Sequence, residues 1–198
     1  MRVILTGFGK FYTILENPTT YLVRTLADDP HVTEAHAIET SVDALKEALE
    51  PLWARANELG EPTLFFHLGV DDSAEVVHFE ECAYNIADFC IPDEKGYEPQ
   101  DEVIIPGAPA VIHTLLPVAK LAAEVGHGCL TSTDPGHYVC NYAYYSSLYH
   151  TLPHRHNQFV LFVHVPPFEV LPEADQLAIV RKLLSVLVPR LRAATNST

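Results

Sequence analysis

Two stretches of the chain are almost unbroken hydrophobe: TLFFHL at residues 63–68 and FVLFVHV at 159–165. Strands covered on both faces read this way. The first is bounded by Pro62 and Gly69, as a short central strand would be. Residues 2–6 form a third apolar run that ends at Gly7. Between these runs the spacing changes. Val42, Leu45, Leu49, Leu52 and Trp53 recur at helical intervals and predict a helix over 42–59, with Ser41 as N-cap and Gly60 as its stop. Pro18 suits the first turn of a helix over 18–26, because its missing N–H costs nothing there. Pro117 and Gly126 bracket another helix, 138–149 reads as a short one, and 171–192 as a closing amphipathic one. Weaker extended segments fall at 35–39, 76–83, 87–91 and 129–133, and the last residues, ATNST, read as a frayed tail.

Strands alternating with helices imply an α/β fold with a mostly parallel central sheet covered on both faces. Residues 92–109 hold four prolines and two glycines and read as an excursion within one domain spanning 1–198. Sites in such sheets gather at the carboxyl ends of strands. That expectation brings four loops to one rim: 7–17, 69–80, 133–140 and 164–168.

Composition narrows the function. The 198 residues are 48% apolar and carry a net charge of −14, which argues against non-specific nucleic-acid binding and against a basic membrane-surface helix. The apolar start is too short for a signal peptide, and no run approaches a membrane span of about 18 residues. Four cysteines without an export signal suggest free thiols and a cytoplasmic setting.

Candidate chemistry centres on TSTDPGHYVCNYAYY. Cys140 falls in the first turn of the expected helix, where unpaired N–H groups and the helix dipole favour a thiolate. It is either a packed core thiol or a nucleophile. His164 lies near the end of the strand FVLFVHV, separated by one residue from Pro166 and Pro167, facing the rim. It is either a core imidazole or a base that takes the thiol's proton and later protonates a leaving amine. Glu80 and Glu81 lie amid apolar residues, where a carboxylate needs a partner. In an extended segment they point to opposite faces, so one of them can meet His164. HTLPHRH places His150, His154 and His156 near one another, but Pro153 gives them no shared face for a metal. TGFG at Thr6 lacks the continuation of a nucleotide-binding loop.

Four blocks, in order along the chain, carry a resemblance: ILTGFGKFYTILENPT, HFEECAYNIADFCIPDEKGYEP, STDPGHYVCNYAYYSSLY and FVHVPP. Together the chain resembles the pyroglutamyl-peptidase I family, the pyrrolidone-carboxylate peptidases, with YYSSLY and FVHVPP leaning towards animal-type members. The resemblance implies a three-layer α/β/α sandwich and an intracellular cysteine exopeptidase that needs no cofactor or metal. Its substrates would be peptides with an N-terminal pyroglutamyl residue. Members occur as monomers or tetramers, so a homo-oligomer is possible. It further implies Cys140 as nucleophile, His164 as base and Glu80, by its spacing to Ala83 and Asn85, as third member. Phe8 and Phe11 would flank the lactam ring, with Ile91, Tyr138 and Val139 nearby.

The chain departs from the family pattern at Lys10, at Tyr12-Thr13, at Glu81 and at Pro135. It also departs at Cys90, where bacterial members carry an Arg before Ile-Pro-Asp. A catalytically weak lactam-binding or interaction protein on the same fold is therefore the alternative to the peptidase.

Overall fold

The structure, a computed structural model, describes residues 1–126 and 128–195. The last three residues of the expected tail lie outside the described residues, while Ala194 and Thr195 continue a helix. A six-stranded sheet is built from β1 (Arg2–Phe8), β2 (Glu34–Ile38), β3 (Thr63–Val70), β4 (His78–Glu80), β7 (Leu130–Ser132) and β8 (Gln158–Val165), in the order β2-β1-β3-β8-β4-β7. The first four strands of that order are parallel. β4 runs antiparallel to β8, and β7 follows β4. A separate two-stranded ribbon pairs β5 (Cys82–Tyr84) with β6 (Val111–His113).

Among the described residues, helices α1 (Pro18–Leu26), α2 (Val42–Leu59), α3 (Val118–Val125), α4 (Val139–Thr151) and α5 (Glu173–Thr195) cover the sheet. The pleat sorts them into layers, because successive strand residues face opposite ways. Val3, Leu5, Leu64, Phe66, Leu161 and Val163 pack with α1, α3 and α5. Ile4, Phe65, Val160 and Phe162 pack with α2 and α4. The result is the three-layer α/β/α sandwich. Each fully buried aromatic in these layers, such as Phe65, Phe66 or Phe162, stabilises the fold by about 1.5–3 kcal/mol through its burial.

Ser41 and Gly60 end α2 as the sequence suggests, and α1 gains a cap not anticipated from the sequence. Asn17 caps α1 by accepting from Thr19 N, and Ser41 caps α2 by accepting from Ala44 N. Other expectations shift. The extended segment over 76–83 divides into β4 and β5, which belong to different sheets. Residues 87–91 form no strand, only a bridge from Ala87 to Glu102. The closing helix starts two residues later than expected and runs three further.

The rim also differs in one respect. β7 runs against β8, so the 133–140 loop does not leave from a parallel strand's carboxyl end. It reaches the site because β7 has only three residues and the chain then turns back at Asp134-Pro135-Gly136. Asp134 Oδ1 accepts from Gly136 N at 3.1 Å, and Gly136 adopts φ +70°, a conformation that suits glycine.

Candidate active site

α4 begins at Val139 behind Tyr138, whose side chain makes no capping bond. The first bond closing the helix runs from Tyr142 N to Tyr138 O. The N–H groups of Val139, Cys140 and Asn141 therefore lack helical partners, as the first turn of any helix requires. Cys140 sits second in this turn, half-buried at the cleft. Its sulfur packs on β3: a Cβ added at Gly69 would lie 2.9 Å from Sγ and 2.8 Å from the Phe162 ring. Only a residue without a side chain lets α4 come this close.

His164, 6% exposed, stands on the same face of β8. Its Nδ1 is 2.8 Å from Glu80 Oε1. The antiparallel register, His78 opposite His164 and Phe79 opposite Val163, puts Glu80 on the face that His164 shares. This settles the choice between the two glutamates. Glu80 is 1% exposed, whereas Glu81 turns away and donates its N–H to Ser132 O. Cys140 borders the same cleft as His164 and lies close enough to influence its charge. Imidazole and carboxylate thus meet beside the cleft that Cys140 borders, although 84 positions separate Glu80 from His164.

Electrostatics favours a charged imidazole. Burial is the largest single influence on His164 and opposes the charge. Together the neighbouring Cys140 and Glu80 outweigh it, and the group is pushed up to about 10. The second oxygen of Glu80 is buried with no hydrogen-bond partner among the described residues. The imidazolium is the cation that compensates this carboxylate.

The trio opens on a cleft of about 540 Å³. Phe8, Phe11, Ile91 and Tyr138 line it, with Cys140 and His164 at its edge. The rings of Phe11 and Tyr138 lie 5.8 Å apart, and Phe8 stacks on Phe162 at 6.4 Å. Val139 is brought near but not into the cleft: its side chain is wholly buried in the layer beneath α4. Asn17 also borders the cleft and holds Gly9 O at 2.8 Å. Cys90 is exposed on the wall, and no Lys or Arg is among the lining residues. Four aspartates are: Asp71, Asp72, Asp88 and Asp134. The histidines of HTLPHRH take no part, and His150 stacks on Trp53 at 4.1 Å.

Several supporting residues had no distinguishing signal in the sequence. Asn141 bonds Tyr84 N, Tyr84 O and Ile86 O, tying the chain after Glu80 to the helix of Cys140. Tyr144 donates to Glu80 O at 2.9 Å and so fixes the backbone of the carboxylate. Both lie on α4 with Cys140, and their i+1 and i+4 offsets would have suggested a shared environment had the helix face been known. Asp93 caps α2 at Val42 N and accepts from Lys95 N and Tyr97 N, which rigidifies the turn after Ile91.

A half-buried thiol and a carboxylate-bound imidazole at the edge of one cleft on an α/β sheet form an arrangement compatible with a cysteine peptidase. Comparison with known proteins is more specific. The pyroglutamyl peptidase family model matches residues 1–188. The chain is 30% identical over 202 residues to the pyrrolidone-carboxylate peptidase of Bacillus subtilis, covering 98% of this chain and 90% of that protein. It is 29% identical over 169 residues to that of Pyrococcus furiosus, covering 84% and 81%. A solved structure of a pyrrolidone carboxyl peptidase variant from Pyrococcus furiosus superposes with a TM-score of 0.86 at 25% identity, over 96% of this chain and all of the other. The Thermus thermophilus enzyme gives 0.77 at 31% identity, over 93% and 100%. The chain belongs to the pyroglutamyl peptidase family of cysteine peptidases.

Proposed function

We propose that the protein removes an N-terminal pyroglutamyl residue from peptides through a covalent thioester on Cys140. The observation that carries this reading is that Cys140 and His164 share the edge of the cleft while Glu80 Oε1 holds His164 Nδ1 at 2.8 Å behind it. The sulfur attacks the carbonyl that joins the lactam to the next residue. Oxygen becomes negative in that step, and the free N–H groups of the first turn of α4 are the donors available to it. His164 gives its proton to the departing amine. It then takes one from water, which attacks the thioester and releases pyroglutamate. Glu80 accepts from Nδ1 and keeps Nε2 turned to the sulfur.

The substrate ring is uncharged and flat. Phe8, Phe11, Ile91 and Tyr138 supply apolar walls for it, while Val139 contributes only main chain. Cys90 brings no positive charge to the site, so the oxyanion relies on backbone donors. The reading takes residues 1–198 as one working unit. It expects neither metal nor other cofactor, and neither nucleic acid nor membrane as partner. Among the described residues no helix is long and apolar enough to cross a membrane. The four cysteines are free, as in a reducing compartment, and the cytoplasm is the expected setting.

Release of a reporter amine from a pyroglutamyl amide tests the proposal. Turnover should disappear in Cys140→Ala and His164→Ala, and iodoacetamide should abolish it in the wild type. Undiminished turnover by Cys140→Ala would end the proposal.

A further inference from the structure

A second polar chain crosses the α4 face of the sheet below the cleft. Thr6 of β1, His67 of β3 and Ser147 of α4 are fully buried. Thr6 Oγ1 is 2.7 Å from His67 Nδ1, and Ser147 Oγ is 2.9 Å from His67 Nε2. A neutral imidazole donates at one nitrogen and accepts at the other, and each hydroxyl can do either, so every member is satisfied. Burial keeps the ring neutral, pushing it down to about 3.

Three buried polar groups must be desolvated, and hydrophobes of similar size would fill the space without that cost. What hydrophobes cannot do is fix direction. Apolar contact is non-directional and lets a helix slide or roll on a sheet, whereas a hydrogen bond at 2.9 Å tolerates little displacement.

The placement of this bond matters for the thiol. Ser147 lies two helical turns beyond Cys140, on the same face of α4. His67 and Gly69 are alternate residues of β3 and share a face. The helix therefore meets the strand at two points, Cys140 on Gly69 and Ser147 on His67. The Phe162 ring joins the two ends, its centroid 6.1 Å from that of His67 and 4.8 Å from that of His164.

We propose that His67 is a positioning residue: through Ser147 it sets the register of α4 on β3, and so the approach of the Cys140 sulfur to His164. The proposal rests on Cys140 being the nucleophile. Its bond to Thr6 is secondary, because β1 and β3 are already held in register by their own backbone pairing, with Thr6 beside His67.

The test compares His67→Leu, His67→Gln, His67→Asn, Ser147→Ala and Thr6→Val. Two readouts are taken: kcat and KM on the reporter amide, and the second-order rate of Cys140 alkylation by iodoacetamide against pH. Gln reproduces the Nε2 position that reaches Ser147, and Asn the Nδ1 position that reaches Thr6. The proposal expects kcat and alkylation to fall about tenfold or more in His67→Leu and Ser147→Ala, with KM within about twofold. It expects His67→Gln to recover more than His67→Asn, and Thr6→Val to stay near wild type. A general loss of stability would instead make Thr6→Val and Ser147→Ala alike, and that result overturns the proposal. So does a wild-type alkylation profile in Ser147→Ala. If His67→Leu does not fold, the Ser147 and Thr6 pair decides. Should the wild type fail to cleave the amide, alkylation still reports on register, so the two ideas fail separately.

Discussion

Replacing Gly69 by alanine perturbs the site with a single methyl group. The added carbon would lie 2.8 Å from two atoms of the Phe162 ring and 2.9 Å from Cys140 Sγ. Carbon contacts are comfortable at about 3.5–4.0 Å, so close to an ångström of movement is required. Phe162 cannot supply it. The ring is fully buried and wedged among Phe8, His67, Tyr144 and His164. The half-buried thiol is the part that can move, by changing rotamer or by lifting the first turn of α4. Overpacking of this kind costs about 1–3 kcal/mol of stability. A displacement of about 1 Å at a reacting atom costs on the order of 100-fold in rate. Gly69→Ala should therefore lower kcat/KM on a pyroglutamyl reporter amide about 100-fold while the protein remains folded by circular dichroism. Gly60→Ala is the control. Gly60 has φ +61° and nothing within 4 Å of its added Cβ, so the variant should lose stability and keep its rate. Wild-type turnover by Gly69→Ala would show that the sulfur does not work where the structure puts it.

Other outcomes follow from the charges. Glu80 helps hold His164 protonated, so Glu80→Gln should lower kcat/KM and move the alkaline limb of the pH–rate profile to lower pH; an unmoved limb would mean that another group controls it. The raised folded value of His164 also stabilises the fold. That contribution is complete below the unfolded value of about 6.5 and drains as pH climbs through about 10, so Tm should fall over this window more in the wild type than in Glu80→Gln. Asp71, Asp72, Asp88 and Asp134 line the cleft without a Lys or Arg among them. A peptide with Lys after the pyroglutamyl residue should accordingly give a higher kcat/KM than one with Asp, and the gap should narrow as salt rises from about 0.1 to 0.5 M. Equal rates at low salt would count against any electrostatic selection.

The long elements were legible because many residues vote for each of them. The apolar runs of β3 and β8 and the helical spacing of α2 left little choice. β4 and β6 have three residues apiece and carry no such vote. Their neighbours impose them, and so the reversal of direction at β4 was not visible. At the site, Cys140 and His164 stood out as polar residues at the ends of apolar elements. Family spacing favoured Glu80, but its selection over Glu81 depends physically on which face of β4 meets β8. Asn141, Tyr144 and His67 stayed hidden for a similar reason. Each is an ordinary polar residue until tertiary packing brings the Tyr84–Ile86 segment, the Glu80 carbonyl or Ser147 against it.

The thioester itself is the most direct object to look for. Wild-type enzyme mixed with a pyroglutamyl amide, quenched in acid within a turnover and mapped by mass spectrometry should carry a pyroglutamyl group on the peptide containing Cys140, and Cys140→Ala should carry none. Acylation of Cys82, Cys90 or Cys129 instead, or the same label on the Cys140→Ala protein, would contradict the account.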